Sequence, residues 1–299
     1  MFEYIECAQC GCLQIRDIPD DLSKYYPENY WVFQEKQISA TGQINRLQAL
    51  LRRRRTKYWL SSKRDMLGRL IASGHEIPSH ITWMRKAGIQ KLDTAILDVG
   101  CGKGDRLLTL AEEGFTNLTG VDPFIEGDIT YPNGVKIHKK NLPDMTGRYD
   151  LITLHHSYEH MPDQLTTLKK LHELLNNRGC VLIRIPLVSS YAWQKYGAHW
   201  AQIDAPRHLY LHTEQSMAIL AHAAGFQIRE TVYDSALFQF WGSEQYLRDI
   251  SMYDPRSYLV NPQGSIFTSE EIENFKQQAR ELNQRGEGDQ ACFYLQKAL

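Results

Sequence analysis

From residue 95 onward, short apolar runs alternate with segments of helical length. The runs are "AILDVG", "NLTGVD", "VKIHKK", "YDLITLHH", "GCVLIRIP", "GFQIRETVYDSALF" and "ACFYLQKA". Strands that are separated by crossover helices pair in parallel, and helices then cover both faces of the sheet. A polar stretch at 239–290, with helix-like pieces near 243–251 and 269–284, separates the last two runs and is interpreted as a helical insertion. The pattern therefore predicts an α/β protein built on a parallel sheet.

Size, composition and charge limit the classes of protein that this chain can belong to. Its 299 residues are enough for one large α/β domain with appendages or for two modest domains. The sequence contains no apolar run of eighteen residues, so no membrane span is predicted. The N-terminus lacks the pattern of a secretory signal, which makes the cytoplasm the expected location and thiols the expected state of the cysteines. With a net charge of −1, a small molecule is a more natural partner than nucleic acid.

A glycine-rich turn follows the first predicted strand. In "LDVGCGKGDRLL", Gly100, Gly102 and Gly104 permit a sharp turn and a close approach to backbone amides. Asp98 ends the first strand and Asp122 ends the second, 122 − 98 = 24 positions later, where a carboxylate suits a ribose diol. The G-x-G-x-G spacing is neither a P-loop nor the G-x-G-x-x-G of dinucleotide binders. We therefore expect a ligand with a ribose and an amino-acid part but without a pyrophosphate.

These stretches together resemble a known family. "ILDVGCGKGDRLLTLAEEG", followed by "GVDPF" and "YDLITLHHSYEHMPD", is similar to the class I S-adenosylmethionine-dependent methyltransferases over roughly residues 90–240 and again at the C-terminus. The resemblance implies a Rossmann-like seven-stranded sheet with helices on both faces, in which six strands are parallel and the last strand is antiparallel. It also implies S-adenosyl-L-methionine as the cofactor.

The resemblance assigns roles to individual residues around the cofactor. Asp98, Gly100 and Gly102 would surround the methionine end, and Asp122 would hold the ribose hydroxyls. The loop after the third strand would border the adenine, where the family commonly has an acidic residue and this chain has Asn141. The full set of residues expected to bind the cofactor is Asp98, Gly100, Cys101, Gly102, Gly104, Asp122, Pro123, Asn141, Leu142, His155 and His156.

Two loops carry histidines that are candidates for catalysis. If the acceptor is a hydroxyl, a general base with a pKa near neutrality assists the transfer. "HWAQIDAPRHLYLHT" resembles a segment of bacterial methyltransferases related to quinone O-methylation and to sugar gene clusters, in which a D-x-P-x-H run faces the acceptor. This resemblance implies His208 as the base, with Trp200, Asp204 and Arg207 shaping the acceptor pocket, and it leaves His156 of "LHHSYEHMPD" as a second catalytic candidate. The alternative is that the segment only sets a loop conformation before the next helix.

The stretch "LHHSYEHMPD" also contains Glu159 and His160, which we expect to brace the start of the following helix. In related quinone-type O-methyltransferases the matching stretch can carry a divalent metal on carboxylates and histidine. His156, Glu159 and His160 imitate that arrangement, but two histidines with one carboxylate depart from it. No metal is therefore predicted.

The N-terminal part precedes the predicted methyltransferase domain. "CAQCGC" has the form of one zinc knuckle, and the following "YYPENYW" resembles the stretch behind the zinc ribbon that begins some methyltransferases of this group. A structural zinc needs four ligands from two knuckles. We therefore predict a degenerate zinc-ribbon remnant; an alternative is that the chain begins late relative to its relatives. The predicted division is a partial ribbon at 1–42, a helical preface at 43–92 and the methyltransferase domain at 93–299.

The strongest run of charge is "LLRRRRTKYWL" at 50–60. Such a run is typical of a solvated helix face, and the alternative is an anionic partner such as RNA, a nucleotide-sugar or a lipid head group. The sequence as a whole predicts a methyltransferase for a small-molecule acceptor, with O-methylation of a sugar, lipid or quinone-like hydroxyl first. A non-catalytic S-adenosylmethionine-binding protein and an RNA methyltransferase are the alternatives.

Overall fold

The computed structural model describes residues 2–25, 46–61 and 65–298. Most of "YYPENYW", the remainder of the predicted ribbon segment and the first residues of the predicted preface lie outside the described residues. No helix of the described part is both long and apolar enough to cross a bilayer.

The regular elements of the described residues follow the alternation seen in the sequence. In chain order they are β1 (Tyr4–Glu6), β2 (Leu13–Ile15), α1 (Arg46–Ser61), α2 (Met66–Ala72), α3 (Ser79–Lys86), β3 (Ile96–Val99), α4 (Asp105–Glu112), β4 (Leu118–Val121), β5 (Ile129–Thr130), β6 (Lys136–His138), β7 (Tyr149–His155), α5 (Gln164–Leu174), β8 (Leu175–Pro186), α6 (Tyr191–Tyr196), β9 (Tyr210–Leu211), α7 (Glu214–Ala223), β10 (Phe226–Tyr233), α8 (Phe238–Tyr246), α9 (Ser269–Arg285) and β11 (Gln290–Lys297).

Eight of these strands form one central sheet in the order β10-β11-β8-β7-β3-β4-β6-β5. The strands from β8 to β6 pair in parallel, and β11 lies antiparallel between β8 and β10. The predicted α/β fold with an antiparallel last strand is confirmed. The predicted count of seven strands is one too low, because Ile129–Thr130 folds back antiparallel onto the edge of β6. The turn between them is closed by a hydrogen bond from the Tyr131 N–H to the Val135 carbonyl oxygen.

Helices bury both faces of this sheet. One apolar cluster joins Leu97 and Ile152 of the sheet to Leu168 and Leu171 of α5. The cluster on the other face joins Ile96 to α4 and also to α1 and α3 of the N-terminal helical segment, through Trp59, Leu60, Ile81 and Met84. Burying each such side chain contributes about 1.5–3 kcal/mol. The helices before the sheet are therefore part of its hydrophobic core.

The first residues form a hairpin that docks far along the chain. Strands β1 and β2 pair with each other, and β2 pairs with β9 in a small separate sheet. The hydroxyl of Tyr4 donates a hydrogen bond to the His208 carbonyl oxygen at 2.7 Å, and the Thr213 hydroxyl donates to the Cys10 carbonyl oxygen at 2.6 Å. The cysteine-bearing hairpin thereby contacts the loop that was predicted to face the acceptor.

Candidate active site

The glycine-rich loop connects β3 to α4 at the carboxyl edge of the sheet. Gly100, Gly102 and Gly104 all have positive φ, at 71°, 54° and 87°. A Cβ atom on Gly100 would lie 2.5 Å from the Ser157 Cβ, and one on Gly104 would lie 2.7 Å from the Ile137 Cδ1. At Gly100 the backbone conformation and the Ser157 Cβ both favour glycine, whereas at Gly104 the backbone conformation does so and the neighbouring atom is the movable end of the Ile137 side chain.

Asp98 ends β3 beneath this loop. Its side chain is almost fully buried and accepts a hydrogen bond from the Thr153 hydroxyl at 2.7 Å. Burial raises the pKa of Asp98 to about 6, against the opposing effect of the nearby Arg106 guanidinium. The site therefore contains a buried carboxylate that a cationic group of a ligand would stabilise.

Asp122 directly follows β4, the neighbouring strand. Its Oδ2 accepts the Gly102 N–H and its Oδ1 accepts the Phe124 N–H, each at 2.8 Å. Each carboxylate oxygen has a second lone pair, so both remain able to accept a hydroxyl hydrogen bond. Asp122 thus ties the glycine loop to the end of β4 and keeps lone pairs for a further hydrogen bond.

The other predicted cofactor residues surround the same edge of the sheet. Cys101 is half-buried and its thiol points to the Gly102 carbonyl oxygen at 3.4 Å, while burial raises its pKa well above the usual value. Pro123 is also half-buried. After β6, Asn141 is exposed and Leu142 is buried at the start of a short 3-10 turn.

A cavity of about 150 Å³ lies between α3, α4 and the ends of β3 and β7. Asp98, Arg106 and His155 contribute its polar lining, and Trp83 of α3 forms part of its wall. The ring centroids of Trp83 and His155 are 4.7 Å apart, and the buried His155 Nδ1 has no hydrogen-bond partner. Burial and the nearby arginines hold the pKa of His155 well below its usual range, so the ring is neutral.

Sequence reasoning missed Trp83 and Arg106 as residues of the site. The sequence shows Trp83 only as an apolar residue of a predicted helix. Its presence in the site depends on how α3 packs against the sheet. Arg106 had a usable signal, because it is the second residue of the helix that starts at the glycine loop.

His156 lies one residue beyond β7 with a φ of 52°, which is unusual for a residue with a side chain. Its Nε2 accepts a hydrogen bond from the Arg184 guanidinium at 2.6 Å, and its Nδ1 lies 3.3 Å from a Glu159 carboxylate oxygen. Arg184 in turn donates to Asp234 at 2.8 Å. Burial lowers the pKa of His156, so its ring is neutral at pH 7. Arg184 and Asp234 hold this histidine, and neither was identified from the sequence.

The structure brings the two predicted histidine loops together. The Leu209 N–H donates to the Glu159 carbonyl oxygen at 2.9 Å, and the rings of His160 and His208 meet edge to face at 4.8 Å. Glu159, His160 and His208 each offer one potential metal-ligating atom within 4.8 Å of the others, a spacing that a divalent cation would fit. Among the described residues this is the one group of three or more such side chains, and it includes His208 in place of the His156 considered from the sequence.

Glu159 is the buried charge of this cluster. Its side chain is fully buried and neither carboxylate oxygen has a hydrogen-bond partner among the described residues. Burial raises its pKa, but the surrounding imidazoles of His156, His160 and His208 outweigh that effect and hold the pKa below the usual value. The cluster therefore contains an ionised carboxylate surrounded by imidazoles.

His208 itself is buried and oriented by the backbone. Its Nδ1–H donates to the Gln202 carbonyl oxygen at 2.7 Å, which fixes the ring and leaves Nε2 as the basic nitrogen. That Nε2 lies 3.9 Å from Glu159 and 3.8 Å from Asp204. Asp204 has a φ of 39° and accepts a hydrogen bond from the Arg207 Nε at 2.9 Å.

Trp200, predicted to shape the acceptor pocket, is fully buried. Its indole N–H donates to Asp289 at 3.0 Å and its ring packs in an apolar cluster with Phe240. Trp200 thereby connects the acceptor-side loop to the C-terminal insertion and to the start of β11.

Comparisons with known proteins identify the family of this chain. Residues 46–231 match the family model described as "Methyltransferase domain". The ubiquinone biosynthesis O-methyltransferase of Pseudomonas aeruginosa (strain UCBPP-PA14) is 27% identical over 122 residues, which are 36% of this chain and 51% of that protein. The enzyme of the same name from Bordetella avium is 26% identical over 170 residues, which are 50% of this chain and 69% of that protein. The chain spans about half the length of the first of these curated relatives.

Solved structures of similar fold have low sequence identity to this chain. The cyclopropane synthase MmaA2 from Mycobacterium tuberculosis is 15% identical, with a TM-score of 0.43 over 69% of this chain and 78% of that one. A putative sarcosine dimethylglycine methyltransferase from Galdieria sulphuraria is 15% identical, with a TM-score of 0.46 over 73% and 84%. The family model covers more than half of the chain and includes the glycine loop, Asp98, Asp122 and both histidine loops. The chain therefore belongs to the methyltransferase-domain family, for which S-adenosyl-L-methionine is the cofactor.

Proposed function

We propose that this protein transfers the methyl group of S-adenosylmethionine to a hydroxyl of a small-molecule acceptor, a sugar, lipid or quinone-like compound. The observation that carries the proposal is the buried His208, whose tautomer is fixed by Gln202 and whose Nε2 has two carboxylates within 4 Å. The partial similarity to ubiquinone biosynthesis O-methyltransferases supports an oxygen acceptor.

The residues at the sheet edge fit the cofactor. Asp98 offers a buried carboxylate for the α-ammonium group, and His155 has an unpartnered buried nitrogen at the same cavity. On the neighbouring strand end, Asp122 offers two acceptor oxygens for the ribose. The cofactor supplies an electrophilic methyl group on a positively charged sulfur. The protein's main contribution is to hold the acceptor oxygen in line with that methyl, because positioning alone accounts for several kcal/mol of rate acceleration.

His208 then serves as the general base. When an acceptor hydroxyl is methylated, His208 Nε2 would accept the hydroxyl proton. The imidazolium that results is stabilised by the Glu159 and Asp204 carboxylates, 3.9 Å and 3.8 Å away. A base of this kind contributes about 10²–10⁴-fold to the rate.

The test is a substitution at His208, with an exposed histidine of the same region as the control. His208→Ala should leave the affinity for S-adenosylhomocysteine nearly unchanged while turnover falls about 10²–10⁴-fold. His199→Ala removes an exposed imidazole nine residues earlier and should change neither quantity. Product is measured as the mass of one added methyl group on candidate acceptors. Loss of cofactor binding in His208→Ala, or full turnover in that variant, would contradict the proposal.

His156 is the competing candidate for the base. Its Nε2 already accepts a hydrogen bond from Arg184 at 2.6 Å, so proton transfer to that nitrogen would disrupt an existing contact. We propose instead that His156 positions the loop beside the cofactor. His156→Gln should then weaken cofactor binding, whereas a variant that binds normally and is inactive would make His156 the base.

The proposal also covers the alternative functions, the subgroup, the location and the domain division that were predicted from the sequence. The RNA methyltransferase alternative receives no support from the arginine run, because Arg52 pairs with Glu112 at 2.8 Å and Arg54 pairs with Asp65 at 2.9 Å. We further propose membership of the quinone-type group, a cytoplasmic location, the sequence-derived domain division and a zinc-ribbon remnant at the N-terminus. A non-catalytic binding protein is distinguished by the acceptor screen, since only an enzyme produces a methylated product.

A further inference from the structure

Arg106 places a positive charge in the cavity beside Asp98 without a hydrogen-bonded partner among the described residues. It is the second residue of α4, it is half-buried, and it lines the same cavity as Asp98 and His155. Among the described residues its guanidinium has no hydrogen bond and no ion pair. A half-buried guanidinium without a hydrogen-bonded counter-ion keeps its N–H donors available to a ligand.

The neighbouring Arg184 differs from Arg106 because it has hydrogen-bond partners within the protein. Arg184 also lies close to this cavity, but its guanidinium donates to Asp234 at 2.8 Å and to His156 at 2.6 Å and lies 5.4 Å from the centre of the Trp83 ring. Two of its N–H groups therefore already have partners within the protein. Arg106 is the arginine of this cavity whose donors remain for a ligand.

The cavity offers a pair of opposite charges to an occupant. Asp98 presents a buried carboxylate, Arg106 a guanidinium, and His155 a neutral ring whose buried Nδ1 lacks a partner. An α-amino acid carries the complementary pair, an ammonium group and a carboxylate on one carbon atom. The guanidinium fork binds a carboxylate with two parallel hydrogen bonds, which lysine cannot reproduce.

We propose that Arg106 binds the α-carboxylate of the cofactor's methionine moiety, opposite Asp98, and so makes the site selective for the carboxylated form of the cofactor. The proposal rests on the identity of the cofactor and is independent of which acceptor is methylated. It also gives α3 a role in cofactor binding, because Trp83 packs against His155 on the wall of the cavity that contains this charge pair.

The test compares ligands that differ only at the carboxylate. Binding of S-adenosylmethionine and of decarboxylated S-adenosylmethionine to the purified full chain is measured by calorimetry at pH 8, where Asp98 is ionised. The wild-type protein should prefer the carboxylated ligand by about 10- to 100-fold, the range expected for hydrogen bonds between charged groups. Arg106→Gln should reduce the affinity for S-adenosylmethionine to that of the decarboxylated ligand and change the latter by less than about threefold. Arg106→Lys should restore only part of the preference.

Two controls separate a binding role from a structural one. Arg85→Gln removes the same charge from the exposed side of α3 and should change neither affinity. Thermal unfolding by circular dichroism checks that Arg106→Gln is folded. If Arg106→Gln weakens both ligands equally, or weakens neither, the proposal is wrong. A wild-type protein that does not distinguish the two ligands would overturn it as well, whereas failure to methylate any hydroxyl would overturn only the proposed acceptor class.

Discussion

Gly100→Ala is predicted to destabilise the protein through one identifiable contact. Two costs arise at this position. An alanine at a φ of 71° costs about 1–2 kcal/mol relative to glycine. Its Cβ would also lie 2.5 Å from the Ser157 Cβ, and overpacking of this kind costs about 1–3 kcal/mol. We therefore expect the free energy of unfolding to fall by about 2–5 kcal/mol, a large part of the about 5–15 kcal/mol that is usual for a folded protein.

The contact with Ser157 supplies a matched pair of second-site variants. Ser157→Ala and Ser157→Gly both remove the hydrogen bond from the Ser157 hydroxyl to the Val99 carbonyl oxygen, but only Ser157→Gly removes the Cβ that meets the new methyl group. The quantity to compare is the difference in free energy of unfolding between the Ser157→Gly and Ser157→Ala variants. With Gly100→Ala present, this difference should shift in favour of Ser157→Gly by about 1–3 kcal/mol from its value with Gly100 retained. Urea unfolding followed by circular dichroism gives the four free energies.

The outcome that would refute this reasoning is equally specific. If the difference between Ser157→Ala and Ser157→Gly is the same with and without Gly100→Ala, Gly100 is not required by Ser157. A Gly100→Ala protein of unchanged stability would mean that neither the backbone conformation nor the contact is strained. In either case, a close approach of the ligand would have to account for the presence of glycine at position 100.

Two further predictions concern metal content and pH. The N-terminal cysteines should hold no stoichiometric zinc, because Cys7 and its neighbours do not assemble three ligand atoms among the described residues; elemental analysis giving about one zinc per chain, lost in Cys7→Ser, would contradict this. Burial raises the pKa of Asp289 to about 6 although Trp200 donates to it, so the folded state holds this proton more tightly than the unfolded state and stability should fall as pH rises from about 4 to about 6. Asp289→Asn should reduce this pH-dependent loss of the free energy of unfolding by up to about 3 kcal/mol. Unchanged pH dependence in urea titrations of the variant would refute the assignment.

The strands and the cofactor loop were predictable from local sequence, because buried parallel strands are continuous apolar runs and the glycine spacing is contiguous. β5 was missed because its two residues, Ile129–Thr130, are too few to show a period. Arg184 is visible in the sequence only as a polar interruption within an apolar run. Its partner Asp234 is fifty residues away and meets it through the pairing of β8, β11 and β10. Contacts of this kind depend on the order of the strands in the sheet, and no local sequence pattern specifies that order.

The meeting of Glu159 with His208 follows from the same topology. β7 and β8 are parallel neighbours, so the loops that leave their carboxyl ends emerge side by side at one edge of the sheet. The N-terminal hairpin then packs on the second of these loops, where β2 pairs with β9 and the Tyr4 hydroxyl bonds the His208 carbonyl oxygen. This contact gives the cysteine-bearing hairpin a structural role that needs no zinc. It braces, through the backbone of His208 itself, the residue on which the proposed chemistry depends.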